Sequence, residues 1–316
     1  MVTNCYRPGA ARPRLAVERA MLYCPAREWT YSHHPHLTFF QGRLVAMWSN
    51  GRVHEDDPGQ RVLLATSDDF ERWSEPRPLV GPLFGEHSEV VLTAGGFHQH
   101  AGTLVAYFGQ YEYTREALSQ DDPDARPHQD TGLRALVSHD AEHWSESLDM
   151  GIPVVPNHGP QPTRSGRLII SGNISFPYTD DPSGLHGWRM TGIYPPDMAD
   201  SVYDDPDGYW HVVRRMGWGV GLCEGAFYQL PNGRLHMLLR ANQRGPETRL
   251  WLTTSDDDGA TWSPPRETDF TDNDTKFHFN RLPDGRIIYV GCPDPEPAGA
   301  RCPLVLSVSE DGFRFD

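Results

Sequence analysis

Ser255-Asp256-Asp257-Asp258-Gly259-Ala260-Thr261-Trp262 is the fullest copy of a phrase that the chain repeats. Its other copies are Ser67-Asp68-Asp69-Phe70-Glu71-Arg72-Trp73, Ser138-His139-Asp140-Ala141-Glu142-His143-Trp144 and Ser309-Glu310-Asp311-Gly312-Phe313-Arg314-Phe315. Each places Ser two residues before Asp, and an aromatic four or five residues after that Asp. A hydroxyl and a carboxylate at this spacing bond the amides of their own turn, and the aromatic folds back onto the sheet. A hairpin that recurs along a chain predicts a radial array of small sheets.

A second phrase keeps step with the first. Glycine hairpin signals stand at Gly42, Gly102, Gly166, Gly233 and Gly285, spaced 60, 64, 67 and 52 residues apart. Asn232-Gly233 and Asp284-Gly285 between apolar alternations are strong hairpin signals. One module therefore reads as strand, glycine hairpin, strand, loop, strand, Ser-x-Asp hairpin, strand. In the third module the worn segment Ser201 to Trp210 stands in that register. The expected fold is all-β: a β-propeller of four-stranded blades, five modules visible, in a single domain over residues 1–316. Because Asp316 falls inside the last hairpin, a closing strand is expected from Leu15 to Tyr23 or from residues beyond a C-terminus cut short.

Composition narrows the function classes. The 30 Gly and 28 Pro oppose long helices and fit many tight turns. No apolar run nears the ~20 residues of a membrane span, so no membrane partner is expected. The N-terminus lacks the charged-then-apolar order of a secretory signal, which points to the cytoplasm. Cys5, Cys24, Cys223, Cys292 and Cys302 are scattered without a C-x-x-C and read as free thiols. A net charge of −15 disfavours nucleic acid as a partner. An acidic sugar would need a locally basic pocket.

Strand geometry says where that pocket belongs. The inner strand of every blade starts at the face opposite the Ser-x-Asp hairpins, and the starts crowd around one axis. Counting back eight or nine residues from each hairpin glycine reaches His33/His34, Thr93/Ala94, Asn157/His158, Glu224/Gly225 and Lys276/Phe277. Convergent polar groups of mixed sign make a plausible pocket floor. His34 with His36, and His98 with His100, are spaced to share a side of a strand. No accompanying carboxylate spacing supports a metal, so acid–base or substrate contact is the expectation. The loops add His54, Tyr113, Arg115, Arg240, and Tyr178 and Arg189 in the long segment from Asn173. Arg61, Arg134, Arg249 and Arg301 recur before the third strand and read equally well as packing devices.

The Ser-x-Asp-x-Gly-x-x-Trp repeat resembles the Asp-box of sialidase-type propellers. Sialidases open the first blade with a Phe-Arg-Ile-Pro-like segment, where this chain has Tyr31-Ser32-His33-His34-Pro35-His36. The stretch from Trp29 to Trp73 is more similar to seven-bladed propellers acting on rhamnose–glucuronic acid linkages, namely α-L-rhamnosidases, rhamnose–glucuronate lyases and ulvan lyases. Asn280 to Arg286 and Arg301 to Leu304 carry the same likeness. The resemblance implies seven blades, and by position it implies His34, His54 and Arg115 as catalytic. Its tyrosine has no clear counterpart, Tyr113 and Tyr111 lying near the region of His98 to His100.

The expected reaction is β-elimination at C4 of a glucuronate in an acidic oligosaccharide or polysaccharide. Arg115 with Arg240 would neutralise the carboxylate, His34 or His54 would be the base, and Tyr113 or the other His the acid. The substrate-binding set is His33, His98, His100, His158, Tyr178, Arg189, Glu224 and Arg240. No cofactor is required, although a structural Ca2+ is compatible. The alternatives are hydrolysis, as in an α-L-rhamnosidase or a sialidase-like enzyme, and a non-catalytic glycan-binding propeller with Trp48, Tyr178, Trp188 and Trp218 as sugar platforms.

Overall fold

The computed structural model describes residues 1–11, 13–119, 128–198, 202 and 208–316. After β1 (Thr3–Asn4) come β2 (Tyr31–Phe40), β3 (Arg43–Gly51), β4 (Arg61–Ser67) and β5 (Arg77–Val80), which form the first sheet in that order. The second sheet is β6 (Val91–His100), β7 (Thr103–Tyr113), β8 (His128–Ser138) and β9 (Leu148–Asp149). The third is short: β10 (Gln161–Pro162), β11 (Leu168–Ile169) and β12 (Tyr178–Thr179). One helix, α1 (Gly208–Met216), precedes the fourth sheet of β13 (Leu222–Gln229), β14 (Leu235–Ala241), β15 (Arg249–Ser255) and β16 (Arg266–Thr271). The fifth holds β17 (His278–Arg281), β18 (Ile287–Gly291) and β19 (Val305–Ser309); β20 (Arg314–Phe315) pairs through β1 with the fourth sheet, while Val308 of β19 and Asp316 exchange backbone bonds.

The described residues thus build five sheets as the modules predict; the seven that the resemblance implied have no counterpart among them. Each Ser-x-Asp phrase makes the expected turn. In the first, Ser67 Oγ accepts the Phe70 amide at 2.9 Å and Asp69 Oδ1 the Arg72 amide at 2.8 Å. Phe70 sits at φ +68°, a left-handed position that glycine takes in other copies, as at Gly312 (φ +77°).

The third module corrects the sequence reading. Residues 201 and 203–207 of the worn segment lie outside the described residues, and its end is α1. The turn is instead Thr179 to Trp188. There the Asp181 amide bonds Thr179 Oγ1 at 3.0 Å, and the Asp181 carboxylate takes the Ser183, Leu185 and His186 amides. Threonine supplies the same hydroxyl as serine, so the motif survives without its first letter.

The N-terminus also departs from expectation. Leu15 to Tyr23 forms no strand; Thr3–Asn4 runs parallel between β16 and β20. Leu22 and Tyr23 pack against Trp48, Leu63 and Ala65 on the first sheet.

Apolar clusters seal the first sheet to the second, the second to the third, the third to the fourth and the fourth to the fifth. The last seam is aromatic: Phe270 lies 4.7 Å from Tyr289 and Phe279 5.3 Å from Phe315 between ring centroids, in edge or tilted contacts worth ~0.5–1.5 kcal/mol each beyond area burial. Among the described residues no cluster joins the fifth sheet to the first. On the fifth sheet Ile287 and Tyr289 are buried, while Ile288 and Val290, paired with Val308 and Leu306, face the other way and keep solvent contact.

Candidate functional site

The inner strands bring their first residues together as the strand count requires. A bulge in β2 between His33 and His36, with His34 at φ +49°, breaks the simple alternation there. The His33 ring lies 3.7 Å from that of His34, and His33 Nδ1 is 2.9 Å from Glu55 Oε2. His34 Nδ1 lies 3.4 Å from Ser49 Oγ, which also accepts the Ala94 amide at 2.9 Å. His36 Nε2 donates to the Ala94 carbonyl at 3.2 Å. From the third module His158 reaches the axis, 6.4 Å from the His36 ring and 5.3 Å from that of His278 at the start of β17. Glu224 comes from β13, and Lys276 from the turn before β17. His34, His36, His158, Glu224, Lys276 and His278 are hemmed in by protein yet all retain some solvent contact, as pocket walls do.

Burial and the neighbouring Lys276 hold His34 and His158 well below the usual imidazole range. His36 is brought down to about 3 by the same two causes, against the opposing pull of its Ala94 bond. Lys276 itself is lowered to about 8, chiefly by burial, with Glu224 favouring and Arg240 opposing its charge. Arg240 is spanned by Glu224 Oε2 at 2.8 Å and Asp274 Oδ1 at 3.0 Å, and donates to Asn242 Oδ1 at 2.9 Å. Burial works against its charge, but Cys223 and these carboxylates raise its pKa further than burial lowers it. Beneath this group Asp272 is fully buried and pushed up to about 7 by desolvation, although the Thr275 amide and hydroxyl bond its carboxylate. At neutral pH the mouth therefore holds His34, His36, His158 and His278 as neutral imidazoles, a guanidinium between two carboxylates, and one ammonium. Among the described residues no ion pair holds Lys276.

Of the residues expected at the site, His33, His34, His158, Glu224 and Arg240 are gathered here. The others are not. His54 and Arg115 are exposed on loops, with no contact to the axial imidazoles among the described residues. Tyr113 is 4% exposed and donates its hydroxyl to the Asp56 carbonyl at 3.0 Å, so it is not a ready proton donor. His98 and His100 end β6 rather than begin it; His98 Nε2 lies 2.8 Å from the Pro182 carbonyl in the Thr179–Trp188 turn, at the opposite rim. The strand starts at Val91, and seven further residues at ~3.3 Å each separate His98 from the mouth. Tyr178 and Arg189 are not loop groups: they exchange backbone bonds as neighbouring strands, and the Tyr178 ring is covered by Arg167 at 4.0 Å. Trp48 and Trp188 are likewise interior, at 5% and 9% exposure.

Three contributors went unassigned in the sequence. Lys276 is reached by the strand count but has no place in the resemblance; His278, two residues further on, opens β17. Asp274, at φ +51°, had no signal, because its role depends on Arg240 and Arg244 arriving from the fourth module. Among the described residues no group of three or more His, Cys, Asp or Glu is arranged to hold a metal ion. No helix is long and apolar enough to cross a membrane.

A family model described as BNR repeat-like domain matches residues 42–316. The chain belongs to that family. No curated relative matches this BNR repeat chain by sequence. Among solved structures, it is similar to a protein of unknown function from Dyadobacter fermentans at 15% identity and TM-score 0.62, covering 92% of this chain and 80% of that one. It is similar also to Trypanosoma rangeli sialidase at 12% identity and TM-score 0.60, covering 89% of this chain and 47% of that one. A further sialidase matches at 19% identity and TM-score 0.56, over 94% of this chain and 27% of that one. The BNR repeat chain thus has the sialidase-type propeller fold and spans about half the length of the trypanosomal enzyme.

Proposed function

We propose that this protein is a carbohydrate-active enzyme that takes a uronate unit of an acidic glycan into the axial mouth and cleaves its C4 linkage by β-elimination. The observation that carries this reading is the single ammonium, Lys276, set among neutral imidazoles where the nearby carboxylates are already engaged by Arg240. Lys276 would balance the uronate carboxylate and acidify C5–H, the role expected of Arg115. With its Nδ1–H toward Ser49, His34 presents Nε2 as the base. It takes the C5 proton, the C5–H electron pair becomes the C4–C5 double bond, and the C4–O bond breaks. His33, held by Glu55, gives the departing oxygen its proton. Stacked acid and base suit departure of both groups from one face of the sugar.

Hydrolysis is less well served. It usually needs two carboxyl groups across the scissile bond, and here Glu224 and Asp274 both grip Arg240. The rhamnose–glucuronate linkage is the substrate suggested by the resemblance of the first blade. The test is the product mass and ultraviolet absorbance from rhamnose-capped glucuronate oligosaccharides. A new unsaturated uronate supports elimination; saturated products would reject it in favour of hydrolysis. Binding without any product would leave a glycan-binding propeller.

A further inference from the structure

We propose that the cleft between α1 and the mouth-side end of the fourth sheet is a glycan subsite that stacks a neutral pyranose next to the acidic sugar held at the axis. This rests on the preceding reading for the identity of the glycan. The cleft, of about 450 Å3, is lined by Trp210, Trp218, Trp251, Gly221, Asn242 and Gln243. Three indoles and two amides, with no charged side chain among the described lining residues, suit the weakly polar face and hydroxyl edge of an uncharged sugar better than an ion.

The cleft is built rather than incidental. A Cβ on Gly221 would stand 2.8 Å from Tyr209 Oη and 3.1 Å from the Trp210 ring, so glycine is what lets that indole close in. Gly217 at φ +67° and Gly219 at φ +71° bracket Trp218 in a tight turn. Trp218 and Trp251 rest against the apolar core of the third and fourth sheets, which holds their rings in place. Trp251 Nε1 is buried without a hydrogen-bond partner among the described residues.

A chain of polar contacts joins the cleft wall to the axial mouth. Asn242, on its wall, accepts bonds from Arg240 Nη2 at 2.9 Å and from Cys223 Sγ at 2.8 Å, and Arg240 holds Glu224. A chain with one acidic unit at Lys276 would therefore lay its next units over the indoles.

The test measures direct binding, by titration, of free glucuronate and of a rhamnose-capped glucuronate tetrasaccharide to the intact protein and to Trp218→Ala, Trp218→Phe and Trp210→Ala. The expected result is tighter binding of the tetrasaccharide, a loss of about tenfold for it alone in Trp218→Ala, and recovery in Trp218→Phe. Trp210→Ala, which changes an exposed helix residue, gives a smaller loss in the same direction. An unchanged tetrasaccharide advantage in both alanine variants overturns the subsite, as does equal loss for both sugars, or absence of binding by either. Failure of the elimination reading shows separately, as binding that yields no unsaturated product.

Discussion

On the hairpin rim, Asp69, Asp140, Asp257 and Asp311 each take amides from their own turns, and Arg43, Arg167 and Arg234 clasp Asp68, Asp180 and Asp256 at 2.8, 2.7 and 2.6 Å. On the axial rim, His34, His36, His158 and His278 stand around Lys276, and burial moves every one of them toward its neutral form. The first rim repeats one arrangement in which each turn aspartate is answered within its own blade, and neighbouring blades are joined to it by contacts such as Arg43 with Glu142 at 2.6 Å. The second gathers unlike residues from several blades: Arg240 is held both by Glu224 of its own blade and by Asp274 of the next module, and Lys276 by no ion pair among the described residues. A repeated polar motif is thus the mark of a self-sufficient turn, and the positions where the modules stop resembling one another are where chemistry can be placed.

The sharpest way to break this contrast is His34→Ala, expected to lower turnover of the acidic oligosaccharide by about 10²–10⁴-fold while thermal melting stays near that of the parent. Turnover within a few-fold of the parent would remove His34 from the reaction. Lys276→Met comes next, with a loss of about 10²–10³-fold. In the parent, kcat/KM should fall as pH rises through about 8, because the ammonium deprotonates there. The variant should lack that alkaline limb, and a limb that persists in it would place the titration elsewhere.

His36→Gln tests the axial rim through stability. His36 has an ordinary value of 6.5 unfolded and about 3 folded, so between those limits the unfolded chain binds the extra proton. Stability is then lost as pH falls through that window, by up to ~1.4 kcal/mol per pH unit. The variant should show a shallower acid limb in urea titrations at several pH values, and an unchanged slope would refute the assignment. On the other rim, Asp257→Ala removes acceptors of the Thr261 amide and hydroxyl and of the Ser255 hydroxyl. It should lower stability by ~1–2 kcal/mol in denaturant unfolding, with turnover per folded molecule unchanged. The smallest effect is expected of Arg234→Ala, whose partner Asp256 is exposed, with any change in melting fading as salt is added.

Much of the hairpin rim is legible in the sequence because its interactions are local: a Ser, an Asp and the amides between them fall within a few residues. Thr179 escaped notice because the reading asked for a serine where only a hydroxyl is needed. At the axial rim the count from the hairpin glycines located His34, His158, Glu224 and Lys276, since every inner strand must start near the axis. His98 and His100 came from their same-side spacing instead, and β6 runs for ten residues with both at its far end. Arg115 and His54 came from resemblance rather than from spacing, and the loops carry them outward. The pairing of Arg240, near the end of β14, with Asp274, in the turn before β17, joins two modules, and no spacing along one strand encodes it.

The apolar seams between neighbouring sheets have a mechanical consequence. Among the described residues four seams join five sheets in chain order, so each sheet leans on its neighbours as in a repeat array. The pocket takes its walls from sheets far apart in that order, and a substitution that loosens one seam should be felt in the pocket before the whole fold is lost.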